Sequence, residues 1–420
     1  MTAAGHAAGL TPPQGLAYGL MGLPLAFVAL PLYVVLPHHY ASEFGVPLAS
    51  LGLLLLAVRA ADAVADPLIG LGVDRLLGAP RRARLLAAGL AAGLLALAFQ
   101  ALFFPAVSGQ TALLVWCGAA LVGCYAAYSG LSVLHHAWGA RLGGDAAQRA
   151  RVVSWREGAA LVGVIVASVL PGTLGLQVAS LVLAAALVAG LLGWAAAPSP
   201  PPARSNTPPS HPWAPWREPR FRRLLGVYLL NGVASALPAT LVLFFIRDRL
   251  QWPEGEPVLL GLYFAAAALS LPLWVRVVAR IGLAPGWALG MALSILAFVG
   301  AVALGPGDGL WFAAVCVASG AALGADLCVP PALLAGLLRD SPAQDEGVAF
   351  GWWNAATKLN LALAAGLALP LLQALGYQPG HTGGSGGLAL SLVYAALPCA
   401  LKALALLALW RLWIRKEHPR

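Results

Sequence analysis

The chain has 420 residues, of which 60% are hydrophobic and only 10% charged, whereas soluble globular proteins are roughly a quarter charged. This composition excludes an ordinary soluble domain and points to burial in a lipid bilayer. A net charge of +9 suggests anionic partners, but the basic residues are spread over short connections and form no nucleic-acid patch.

Twelve apolar stretches follow one another: 15–36, 47–73, 84–105, 111–137, 153–172, 176–197, 222–246, 257–279, 284–304, 310–337, 348–373 and 386–410. Each is long enough for a membrane-spanning helix. Residues 1–13 carry no basic n-region and no cleavage pattern, so the first span is expected to be its own insertion signal. His38 and His39 follow it at the surface.

The second span carries Arg59, Asp62 and Asp66. At 3.6 residues per turn the three share one stripe of the helix. Each charge costs roughly 2.5–3.5 kcal/mol at a bilayer centre, so the stripe must face protein or a water-filled cavity. Two carboxylates one turn apart repel when both are ionised, and a proton or metal ion relieves the repulsion. The pair therefore reads as a cation-coupling site. The alternative is a static ion network with Lys358, but buried ion pairs stabilise only weakly.

Gly70 permits close helix approach, and Asp74 and Arg75 lie at the helix end, placed to cap and ion-pair with a neighbouring helix. Span four brings Ser129 and Ser132, then His135 and His136, which read as cavity-lining or proton-handling residues or else as interface residues near the cytoplasmic face. The connection after it holds Asp145 and Arg149, and Arg156 opens span five. The five cysteines fall within spans without metal-ligand spacing and read as small core residues.

Residues 198–220 are Pro-rich, polar and basic, a linker between an N-terminal bundle (1–197) and a C-terminal bundle (221–420). Its Trp213 to Arg223 end suits the membrane interface. In span seven, Asn231, Ser235 and Thr240 flank Pro238. Asp326 in span ten precedes Pro330-Pro331 and reads as an intramembrane acid at a broken helix, on the substrate or gate side, or else paired with Lys358 or Arg339. Trp352 and Trp353 offer either a stacking platform or packing contacts, and Lys402 is expected to snorkel to the interface.

Twenty of the 25 Lys and Arg residues lie in alternate connections or the C-terminal tail. By the positive-inside rule both termini are cytoplasmic, as an even number of spans requires. Alanine-rich composition and arginine in place of lysine suggest a GC-rich bacterial gene, hence an inner (plasma) membrane. Pro67-Leu68 with Arg75 in span two echoes Pro272-Leu273 with Arg280 in span eight. That register is the one expected of parallel six-helix repeats.

The run Arg59-x-x-Asp62-x-x-x-Asp66-Pro67-x-x-Gly70-x-x-x-Asp74-Arg75 resembles the signature of glycoside–pentoside–hexuronide:cation symporters, the melibiose-permease-like branch of the major facilitator superfamily. Gly139 to Arg151, and Phe350 to Lys358 with Trp353 and Asn354, are similar to further segments of that family. The resemblance implies an all-α membrane protein with 12 transmembrane helices in two six-helix bundles. It implies Asp62 and Asp66 as the cation-coupling carboxylates, with Ser129 as the nearest match to the family's span-four hydroxyl, and Arg59 and Lys358 at the same cavity. The residues themselves add His136, Arg156, Asp326, Trp353 and Asn354 as candidates for the substrate cavity. Gly70, Asp74, Arg75, Asp145 and Arg149 would form the gate.

Departures narrow the expectation. Ala65 stands before the second aspartate, where the sugar symporters often carry an oxygen ligand, which favours a proton over sodium. The span-one run Gly19 to Pro24 lacks the family's sugar-binding acid, and the family's span-four acid and tryptophan are absent too, with Ser132 and His136 nearby instead. The expected activity is cation-coupled symport of a small polar solute, with a lipid- or amphiphile-moving relative as the alternative. No nucleophile motif or metal-ligand spacing suggests an enzyme. Beyond the coupling ion, H+ or Na+, no cofactor is expected. The expected partners are the solute and the bilayer, for a monomer that binds no nucleic acid.

Overall fold

The computed structural model describes residues 10–200, 211–340, 346–377 and 385–415. Part of the Pro-rich linker, residues 201–210, lies outside the described residues. Among the described residues, eleven helices are long and apolar enough to cross a membrane. We label the spans in chain order. The first six are α1 Pro12–Leu30, α2 Leu48–Gly78, α3 Arg81–Phe103, α4 Gln110–Arg141, α5 Ala146–Thr173 and α6 Gly175–Ala196. The others are α7 Pro219–Arg249, α8 Pro253–Ile281, α9 Leu283–Ala303, α10 Gly309–Arg339, α11 Glu346–Ala374 and α12 Gly387–Ile414.

The span beyond those eleven is α2. Its 31 residues reach about 46 Å at 1.5 Å per residue, ample for a bilayer. It carries Arg59, Asp62 and Asp66 in its middle turns. Burial along α2 explains how they are accommodated. Val58, Asp62, Asp66, Gly70, Val73 and Leu77 recur at helical spacing on the buried face, while Leu53, Leu56, Val64 and Leu68 are exposed on the other. The sequence stripe is therefore an inward face, opposite a lipid-facing row of leucine and valine.

The helices continue beyond several expected limits. The first span passes through a π-helical turn at Pro31–Val35 into a further helix, Leu36–Phe44. Helix α10 runs unbroken through Pro330 and Pro331, which corrects the expectation of a broken helix there. Proline is tolerated in a span because packed neighbours compensate for the lost backbone hydrogen bonds.

Clustering of contacts gives two compact units. The first comprises Met1–Pro215 together with Ala335–Ala355, and the second comprises Trp216–Leu334 with Ala356–Arg420. In the first unit α1 packs on α5, α2 on α4, and α3 on α4 and α6. Small residues allow the closest approaches. A Cβ on Gly22 would meet the Arg156 carbonyl oxygen at 2.4 Å, and one on Gly163 would meet that of Leu23 at 2.2 Å.

The second unit repeats this plan six helices later. Tyr228 of α7 hydrogen-bonds Thr357 of α11, and a Cβ on Gly232 would strike Asn360. On α10, Gly320 abuts the Tyr263 carbonyl of α8, and Gly324 abuts Ser270. Pairings α1–α5 and α2–α4 thus recur as α7–α11 and α8–α10, as parallel repeats require.

Candidate functional site

Helix α4 presents Tyr125, Ser129, Ser132 and His136 at spacings of four, three and four, a single face. That face meets the charged stripe of α2. Arg59 Nε lies 3.5 Å from Tyr125 Oη. One turn on, Ser129 Oγ donates to Asp62 Oδ1 at 3.1 Å, with both side chains buried. Asp62 is 8% exposed and Asp66 0%.

The first part of α11 closes the group within the same unit. Asn354 Nδ2 donates to Ser132 Oγ at 3.2 Å. Phe350 packs on the His136 ring with centroids 5.3 Å apart. Gly351 lies so close to α2 that an added Cβ would meet the Asp66 carbonyl oxygen at 2.5 Å. His136 Nδ1 is 2.7 Å from the Ser132 carbonyl. A carbonyl only accepts, so Nδ1 is the donor in this contact.

A second set of contacts lies one to two turns further along α2. Gly70 touches Gly347, where an added Cβ would stand 2.3 Å from the carbonyl oxygen. Gly347 and Gly351 form a small-xxx-small pair that admits this approach. Asp74 then accepts hydrogen bonds from the amides of Gly347 at 2.7 Å and Val348 at 3.0 Å. A carboxylate against amides in the first turn of a helix satisfies otherwise unpaired donors and complements the helix dipole.

Around it, Arg141 binds Glu346 through Nε at 3.2 Å and Nη2 at 2.9 Å. Asp145 caps α5 by accepting from the Gln148 amide at 2.7 Å. Arg149 and Arg339 both donate to the Gly144 carbonyl, at 2.9 and 2.8 Å. Arg75 is exposed.

The remaining candidates are dispersed. Arg156 is buried on α5 and bonds its neighbour Glu157 at 2.6 and 2.9 Å. Trp353 is buried, whereas Trp352 donates to the Pro212 carbonyl and packs on Trp213. Lys358 lies half-buried on the part of α11 assigned to the second unit.

Asp326 also belongs to that unit, with four donors around its carboxylate. Asn231 and Trp287 reach Oδ1 at 3.1 and 2.9 Å, while Ser235 and Lys402 reach Oδ2 at 3.3 and 2.6 Å. Its cationic partner is therefore Lys402, in place of the expected Lys358 or Arg339. Lys402 is 5% exposed, which overturns the snorkelling expectation: its stem turns into the bundle because a carboxylate waits there.

Sequence reasoning passed over Tyr125, Arg141, Glu346 and Trp287. Only Tyr125 left a local signal, a hydroxyl one turn before Ser129.

Comparison with known families shows what kind of protein carries these groups. The MFS/sugar transport protein family matches residues 15–197 and 214–416. The chain belongs to that family, within the major facilitator superfamily. It is an integral multi-pass membrane protein and a secondary transporter, not an enzyme.

Solved structures share the fold at low identity. A bacterial homologue of the iron transporter ferroportin, in an outward-facing state, is 16% identical with a TM-score of 0.73, covering 97% of this chain and 100% of that one. The Escherichia coli fucose:proton symporter FucP is 14% identical, with a TM-score of 0.66 and coverage of 94% and 98%. The human organic anion transporter MFSD10 (TETRAN) is 18% identical, with a TM-score of 0.68 and coverage of 95% and 100%. A search of curated proteins finds no match.

Proposed function

We propose that the chain is a proton-coupled symporter of a small polar solute, of the glycoside–pentoside–hexuronide type, in a bacterial inner membrane. The observation that carries this reading is the Ser129–Asp62 hydrogen bond, in a buried face shared with Asp66, Arg59 and Tyr125. A charge in a bilayer is retained where it has work to do. Here two carboxylates one turn apart lie on the same helix face as one guanidinium.

Loading the pair with a proton removes one negative charge from a low-dielectric site, so the proton-loaded and empty states differ in the cost of exposing the site to water. Solute that binds one of these states better shifts the equilibrium between them, which is coupling. Ser132, Asn354 and His136, next along the same face, supply hydroxyl, amide and imidazole groups suited to a polar solute. A proton needs no shell of oxygen ligands, and Ala65 offers none. The Asp74 clasp on Gly347 and Val348, with Arg141–Glu346, is read as the gate that opens and reforms in each cycle.

The experiment is solute-driven proton uptake in proteoliposomes containing the purified chain. Addition of a transported sugar is expected to alkalinise the side from which it enters. Uptake without any proton movement would reject the proton as coupling ion, and dependence on sodium would replace it.

A further inference from the structure

The second unit holds a cavity of about 140 Å³ lined by α7, α8, α9, α10 and α12. Among the described residues, none of its lining comes from α11 or from the first unit. This space is therefore separate from the α2–α4–α11 group described above.

One region is apolar and aromatic, with Tyr263, Phe264, Phe298, Phe312 and Tyr394 in the wall. A π-helical turn, Leu392–Ala396, carries Tyr394, whose ring stacks on Phe245 at 4.1 Å. Such turns are frequent at functional sites. The polar features of the wall are the Asp326–Lys402 pair, Ser235 and two further serines, Ser294 and Ser319.

The chemistry of that pair selects the occupant. Asp326 already accepts from four donors, so it has little left to offer a cation. Lys402 spends one N–H on Asp326 and one on Ser235. An ammonium has three, and the third remains for an acceptor in the cavity. Ser319 donates to the Val315 carbonyl and keeps its lone pairs. Among the described lining residues, Asp326 and Lys402 are the charged ones, and they cancel. A charged head group entering this wall would leave one buried charge uncompensated, which is strongly unfavourable.

We propose that this cavity is a binding site for an uncharged amphiphile, with a hydroxyl or carbonyl head held by Lys402 and an apolar body against the aromatic wall. It is independent of the proton-coupled reading of Asp62 and Asp66.

The test is photoaffinity labelling of the full chain in lipid nanodiscs. Three diazirine probes of equal length are compared: a dodecyl alcohol, the matching carboxylate and the matching alkylammonium. Adducts are mapped by mass spectrometry. The alcohol is expected to label α8 and α10 peptides saturably, at least tenfold more than either charged probe. Unlabelled dodecanol should compete, and the cavity-filling variant Ser319→Phe should abolish the labelling.

Charge variants give a second readout, taken below the melting temperature of each so that only folded protein is labelled. Lys402→Met leaves Asp326 uncompensated and should shift preference toward the ammonium probe. Asp326→Asn should shift it toward the carboxylate. Labelling that does not saturate would overturn the proposal. So would a wild-type preference for either charged probe, or a preference unmoved by both charge variants.

Discussion

Asp74 of α2 holds the amide of Val348 on α11 at 3.0 Å, and the same carboxylate takes the amide of Gly347 at 2.7 Å. A single side chain thus satisfies two donors in the first turn of α11. Caps of this kind contribute roughly 0.5–2 kcal/mol. Asp74→Ala is expected to raise hydrogen-exchange rates at Gly347 and Val348 about 2- to 30-fold, with little change in α3 or α6. Exchange mass spectrometry reads this directly, and unchanged rates at those two amides would show that the cap contributes nothing.

Gly70 and Gly72 make a paired steric test on the same helix. A Cβ on Gly70 would stand 2.3 Å from the Gly347 carbonyl oxygen, while one on Gly72 meets nothing within 4 Å. Overpacking typically costs about 1–3 kcal/mol. Gly70→Ala should therefore lower the melting temperature by several degrees. Gly72→Ala should leave it unchanged or raise it slightly, since alanine favours helix.

Ser129→Ala removes the hydroxyl that Asp62 accepts. A hydrogen bond to a charged group is worth roughly 1.5–3 kcal/mol. Solute accumulation driven by a proton gradient is expected to fall about tenfold or more, and Ser129→Thr should recover most of it. Equal damage from alanine and threonine would mark Ser129 as a packing residue alone.

The Asp326–Lys402 pair should show strong coupling in a double-mutant cycle. Breaking a buried pair from one side costs about 3–5 kcal/mol, because a lone buried charge remains. Lys402→Met and Asp326→Asn should each destabilise strongly, and the double variant should be more stable than either. Thermal melting of the purified variants measures this. Additive losses would contradict the pairing.

What the sequence made legible follows from the range of each interaction. The Arg59, Asp62 and Asp66 stripe and the Gly70 and Asp74 turn are features of one helix, visible from 3.6-residue periodicity alone. Ser129 was found because a resemblance named a hydroxyl on span four. Lys402 was misread because its partner is 76 positions away. Choosing Lys402 over Lys358 or Arg339 for Asp326 requires the rotation of α12 against α7 and α10, which no local pattern records. Arg141 and Glu346, 205 positions apart, were missed for the same reason. The expected break at Pro330-Pro331 failed because packed neighbours hold α10 together where an isolated helix would kink.

The measurement that bears most directly on the proposed coupling uses proteoliposomes with an imposed proton gradient. Accumulation of a radiolabelled glycoside, pentose and hexuronate is followed in the wild type, Asp62→Asn and Asp66→Asn. At least one solute should concentrate inside wild-type vesicles and collapse when the gradient is dissipated. Neither variant should concentrate it, although both should still melt cooperatively. Gradient-driven accumulation that survives both substitutions would contradict the assignment of these two acids to the coupling ion.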